Sequence, residues 1–182
     1  MSKEKKTKWA IADLHLGQTN CFEWRNEQGK KVRPFASHDD YWEVIKSAWN
    51  YKVSPQDKVY ILGDLAIKKA AIQLITQLNG HKTLIAGNHD IFSTKLYLDA
   101  GIEEVRGVRV FTQGSLYVES PAVILSHIPL ALDCVFGKWL NIHGHLHARK
   151  LDDDYNYACV SIEQTGFAPV NLEQLVRKVR YQ

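Results

Sequence analysis

Seven side chains able to bind a metal ion fall in five short motifs: Asp13-Leu14-His15, Gly63-Asp64, Gly87-Asn88-His89-Asp90, Ser126-His127 and Gly144-His145-Leu146-His147. The seven are Asp13, His15, Asp64, Asn88, His127, His145 and His147. Carboxylate, imidazole and amide donors without thiolate suit borderline to hard divalent ions and argue against copper(I) or an iron–sulfur cluster. Manganese is the foremost candidate, with iron, zinc, nickel or cobalt as the others. Seven ligands exceed the needs of one catalytic zinc, which keeps an open position. Two ions sharing the Asp64 carboxylate account for the set better. Such a pair, about 3.5–4 Å apart, can activate a water and clamp the oxygens of a phosphate ester during in-line displacement.

The spacing carries a geometric expectation. Residues i and i+2 of an extended backbone project to the same side. Asp13 with His15, and His145 with His147, are therefore expected to present paired donors from extended segments. Gly63, Gly87 and Gly144 lie beside the ligands, where tight turns and close backbone approach are needed.

Positioning these motifs calls for strands that end where they begin. Trp9-Ala10-Ile11-Ala12, Val59-Tyr60-Ile61-Leu62 and Thr83-Leu84-Ile85-Ala86 read as buried strands running into the first three motifs. Ser37 and Asp40 form a capping box opening a helix whose apolar face is Trp42, Ile45, Ala48 and Trp49, ending before Pro55. Residues 69 to 79 read as a second amphipathic helix, with Ala71, Leu74, Ile75 and Leu78 inward and Gly80 as its stop. Strand–helix–strand alternation predicts right-handed crossovers and a parallel region of sheet. Motifs at the C-terminal ends of such strands occupy the rim where open α/β sheets bind ligands.

Residues 21 to 35 read as a loop or hairpin excursion turning at Asn26-Glu27-Gln28-Gly29. Beyond residue 101 short strands follow: Val108 to Phe111, Leu116 to Glu119, Val123 to Leu125, Leu140 to His143 and Tyr155 to Val160. A last helix is opened by Asn171, with Gln174 three residues on. The change of rhythm suggests one domain over 1–182 built on two sheets.

The 182 residues, 45% hydrophobic and 24% charged, have the composition of an ordinary soluble globular protein. No apolar run reaches the roughly 20 residues that span a bilayer. The lysine-rich start lacks the long apolar region of a secretory signal, so a cytoplasmic setting without membrane contact is expected. Cys21, Cys134 and Cys159 show no Cys-x-x-Cys spacing and read as reduced thiols. A net charge of +3 does not by itself indicate nucleic acid.

In order and spacing, the five motifs resemble the calcineurin-like metallophosphoesterase superfamily, whose pattern is Asp-x-His, Gly-Asp, Gly-Asn-His-Asp/Glu, His and Gly-His-x-His. The match runs from residue 13 to 147, and Arg33-Pro34-Phe35 with the short length is similar to a small bacterial and phage branch. The resemblance implies an α/β fold, a two-sheet α-β-β-α sandwich of the metallo-dependent phosphatase type. It implies one ion held by Asp13, His15, Asp64 and His147, and a second by Asp64, Asn88, His127 and His145. His89 would contact the scissile phosphate and assist the leaving group, making His89, Asp64 and Asn88 the catalytic set. A metal-activated water would attack phosphorus directly, on a monoester or diester of small or nucleotide type.

One departure narrows this. Ser/Thr protein phosphatases of the superfamily continue Gly-Asp-x-x-Asp-Arg-Gly, whereas here Ile67 and Lys68 replace the carboxylate and the arginine. Arg25, Arg33 and Arg149 are candidates for phosphate contacts, since an arginine fork suits phosphate oxygens. Asp90 is expected to be structural, and His143 to pack or to support a ligand. His38 and His81 read as ordinary satisfied histidines, and Asp152-Asp153-Asp154 as a solvated turn. Two alternatives stay open: a nuclease in which Trp24 and the basic tail engage DNA or RNA, and a metal-binding interaction module on the same scaffold. A monomer or a homodimer is expected.

Overall fold

A computed structural model describes residues 6–134, 137–152 and 155–180, without the Cys134 side chain. Asp153, Asp154 and the first lysines lie outside these residues, and so do the turn and tail read there.

Among the described residues, nine strands form two sheets. Strands β1 (Lys8–Ile11), β2 (Lys58–Ile61), β3 (His81–Ile85) and β4 (Ile102–Arg106) run parallel, and β9 (Val170–Asn171) pairs antiparallel with β1, in the order β4-β3-β2-β1-β9. The second sheet has the order β5-β6-β7-β8, made of β5 (Arg109–Phe111), β6 (Ala122–Leu125), β7 (Trp139–His143) and β8 (Tyr157–Cys159). There β5 is antiparallel to β6, and the remaining pairs are parallel.

Period-2 alternation divides the first sheet's side chains between two cores. Ala10, Tyr60 and Ile85 join Val123, Leu125, Leu140 and Ile142 of the second sheet. Ile11, Val59, Ile61 and Leu84 face Tyr41, Trp42, Ile45 and Trp49 of α1 (His38–Lys52), together with Tyr97 of α2 (Thr94–Asp99). The α1 cap forms as read, with the Asp40 N–H donating to Ser37 Oγ at 3.0 Å. Helix α3 (Ile162–Thr165) follows β8, and α4 (Leu172–Arg180) adds Leu172 and Val176 to the inter-sheet core. The Asn171 cap of α4 accepts from the Gln174 N–H at 3.0 Å. This is the mixed α/β architecture of two sheets with flanking helices that the resemblance implied. Among the described residues no helix is long and apolar enough to cross a membrane.

Two of the expected elements take another form. Residues Lys69–Gln77 form a 3₁₀ helix rather than an α-helix. Ile72 and Ile75, the residues buried there, are spaced by three, which a 3.0-residue turn stacks in one line, and Leu78 just past the end is buried as well. The expected strand at Leu116 to Glu119 is a closed turn. Its backbone bonds locally, through Gly114 N to Ser120 O and Ser120 N to Tyr117 O, both at 2.9 Å, and Val118 is 92% exposed.

Candidate metal centre

Five parallel strand ends deliver the five motifs to one edge of the molecule. The β1–β2 pairing continues past the strands, with Asp13 N donating to Gly63 O at 3.0 Å and His15 N to Asp64 O at 2.9 Å. The second sheet joins through a parallel bridge between Ala12 and Ser161. There Gly144 N also donates to His127 O at 2.9 Å.

The paired ligands do not come from extended backbone. Asp13, His15, Asp64, His145 and His147 have φ of 61°, 50°, 53°, 69° and 52°. This left-handed conformation turns the chain back at each ligand, so alternate donors converge on a point instead of lining one face. Each costs about 1–3 kcal/mol and persists because surrounding bonds over-determine it. Gly63, at φ 85°, permits the closest packing, since a Cβ there would collide with the His127 ring. At Gly144 a Cβ would lie 2.7 Å from Asp13 Oδ2.

All seven expected ligands meet here. Asp64 Oδ2 stands between two imidazoles, 3.5 Å from His15 Nε2 and 3.6 Å from His127 Nε2. Asp13, His15 and His147 form one group of donors within 4.8 Å, and Asp13, Asp64 and His127 another. His127 Nε2 lies 2.8 Å from Asn88 Oδ1 and 3.2 Å from His145 Nδ1. His89 sits exposed at the mouth, its ring centroid 5.5 Å from that of His15, while its backbone N–H donates to Asp64 Oδ1 at 2.9 Å.

The donors fit divalent ions. Asp13 Oδ1 and both ring nitrogens of His15 are buried without a hydrogen-bond partner, an unfavourable state unless something else engages them. Burial and the nearby Arg33 charge lower the His15 pKa to about 2, so its ring is neutral, the ligand form. Burial pushes the Asp13 carboxyl above its ordinary value against the pull of His147 and Ser161, a cost that a bound cation would offset. His127 Nδ1 lies 2.9 Å from Leu62 O; a proton donated there leaves Nε2 to face the site.

Outer partners hold the candidate donors in place. Asp90 has the structural role read for it, accepting from Asp64 N and Gly87 N at 2.8 Å and from Leu65 N at 3.0 Å. It thereby ties the second motif to the third. Asp90→Ala should destabilise the protein by roughly 3 kcal/mol, because three backbone donors lose their acceptor. Urea unfolding checks this. Ser161 Oγ donates to Asp13 Oδ2 at 2.6 Å, and Glu163 Oε1 lies 3.0 Å from His147 Nδ1. Burial would raise the Glu163 carboxyl, but its bond to His147 and the Arg33 charge outweigh that and hold it below its ordinary value. Neither Ser161 nor Glu163 was read from the sequence, since neither belongs to a motif.

The arginines divide. Arg33 is fully buried. Its donors go to Glu163, to Asp13 O at 2.6 Å and to Leu14 O at 3.3 Å. This corrects the expected phosphate contact: the guanidinium is spent inside the protein. Arg25 and Arg149 are exposed on a cleft of about 710 Å³ that His145, His147 and Trp24 also line. His143 is buried, its Nδ1 2.8 Å from Gly144 O, as a packing residue would be. His38 Nε2 accepts from Gly17 N at 2.7 Å.

The model of the calcineurin-like phosphoesterase family matches residues 7–177. The uncharacterized protein MJ1445 of Methanocaldococcus jannaschii is 30% identical over 183 residues, covering 94% of this chain and 90% of its own. The Gene 66 protein of Mycobacterium phage D29 is 28% identical over 78% of each chain. The crystal structure of AQ665, a protein of unknown function from Aquifex aeolicus, superposes with a TM-score of 0.66 at 19% identity. That alignment covers 94% of this chain and 98% of AQ665 and supports the fold alone. With five motifs in order, their donors gathered at one edge of two sheets, and the family model matching nearly end to end, the chain is a member of the calcineurin-like phosphoesterase family.

Proposed function

We propose that this protein hydrolyses a phosphate ester using two divalent ions that share the Asp64 carboxylate. The observation that carries the reading is the near-equal spacing of Asp64 Oδ2 from His15 and His127, 3.5 and 3.6 Å, beside the unpartnered Asp13 Oδ1. Asp13, His15, Asp64 and His147 would hold one ion, and Asp64, Asn88, His127 and His145 the other. Bound there, the ions supply Lewis acidity that polarises the phosphate and makes water a nucleophile near neutral pH.

The chain's own groups do the rest. In this reading His89 would give a proton to the leaving oxygen. Asp64 Oδ1 accepts from the His89 backbone N–H and so ties the His89 backbone to the site. The 710 Å³ cleft beside His145 and His147 receives the remainder of the substrate, with Arg25 and Arg149 on its walls for further negative charge. A cleft of this size accommodates a nucleotide-sized group, which supports a small or nucleotide-type substrate.

The test is a panel of monoesters, bis(p-nitrophenyl) phosphate, linear and cyclic nucleotides and nucleic acid, assayed with manganese, nickel and zinc. Turnover of at least one ester, dependent on added metal and abolished by EDTA, is expected. Absence of turnover across the panel with every metal would overturn the reading.

A further inference from the structure

Arg33 and Glu163, 130 residues apart, meet in the interior with 0% and 2% side-chain exposure. Burying an ion pair rarely adds stability over apolar packing, so its geometry is the informative part. Arg33 Nε and Nη2 both lie 2.7 Å from Glu163 Oε1, and the same oxygen lies 3.0 Å from His147 Nδ1. Glu163 Oε2 is buried without a hydrogen-bond partner. The carboxylate thus forgoes the two-oxygen fork that binds guanidinium most strongly and turns one oxygen to arginine and imidazole together.

Arg33 reaches the other way as well. Its Nη2 donates to Asp13 O at 2.6 Å and its Nη1 to Leu14 O at 3.3 Å, while Tyr41 Oη donates to the same Leu14 carbonyl at 2.6 Å. These carbonyls belong to the turn in which Asp13 and His15 adopt left-handed φ. On the His147 side, Gln164, next to Glu163, donates from Nε2 to His147 O at 2.7 Å and to Arg149 O at 2.8 Å. One buried pair therefore grips both segments that bring Asp13, His15 and His147 together.

We infer that Arg33 and Glu163 are positioning residues for the metal centre: the pair keeps the His147 proton on Nδ1, leaving Nε2 for an ion, and sets the Asp13–His15 turn. The inference rests on the reading that Asp13, His15 and His147 hold an ion. It also gives the excursion over residues 21 to 35 a task, which is to carry Arg33 beneath the site.

Manganese titration calorimetry and thermal melting test it on two variants. Glu163→Gln keeps volume and an acceptor but loses the charge. The double variant Arg33→Met with Glu163→Leu removes both charges, so no unpaired ion is left in the core. Both should remain folded and bind manganese about 10–100-fold more weakly than the parent, the usual consequence of losing an outer partner of a ligating histidine. Parental manganese affinity in either folded variant would overturn the inference while leaving the proposed hydrolysis intact. Failure of both variants to fold would make the pair a stability element and overturn it too. A parent that binds no manganese, nickel or zinc would overturn both readings.

Discussion

Asp64→Asn is expected to fold like the parent yet lose phosphoester turnover by more than the roughly 100-fold upper range for losing an outer ligand partner. Asparagine tolerates the left-handed backbone found there, φ 53°. Its amide oxygen can still accept from His89 N, and its own N–H still donates to Asp90. What disappears is one negative charge between His15 and His127, at the position where a single oxygen stands 3.5 and 3.6 Å from two imidazoles. Metal content should fall together with rate, measured by mass spectrometry beside the ester assay. Parental turnover with full metal content would remove Asp64 from the mechanism.

His89→Ala should separate chemistry from metal binding. The ring is exposed at the mouth, so its removal leaves the donor groups intact. The backbone N–H that bonds Asp64 Oδ1 survives in alanine. A rate loss of about 10²–10⁴-fold, the usual worth of a positioned proton donor, is expected with metal content unchanged. Exposed substitutions of this kind usually shift stability by no more than about 0.5 kcal/mol, and a thermal melt checks that. Metal lost in step with rate would instead make His89 a ligand.

Residue type and spacing made the candidate donor groups legible; their backbone conformation was not. Asp13-x-His15 and His145-x-His147 look like pairs on extended chain, because nothing in the residue types demands positive φ. That conformation is imposed by bonds between distant residues, such as Arg33 donating to Asp13 O and His145 N donating to Asp13 Oδ2. The same holds for Glu163, an isolated acid whose partners lie in remote segments. In the fold, the buried strands β1 to β3 announced themselves as apolar runs. β4 was missed because Ile102-Glu103-Glu104-Val105-Arg106 is an edge strand, paired on one side only, where charge is common. The Lys69–Gln77 segment showed its apolar side but hid its pitch, since spacings of three and four coexist there.

The donors are shared between the sheets: Asp13, Asp64 and Asn88 follow strands of the first, and His127, His145 and His147 follow strands of the second. An ion held by both sets binds only the docked arrangement, not either sheet by itself. By mass action such a ligand adds about 2.7 kcal/mol to the docked state at one hundred times its dissociation constant. The inter-sheet core and the candidate metal centre would then be one thermodynamic unit. Ion supply would govern how often the two sheets part, and loosening of the core would register first as release of the ions.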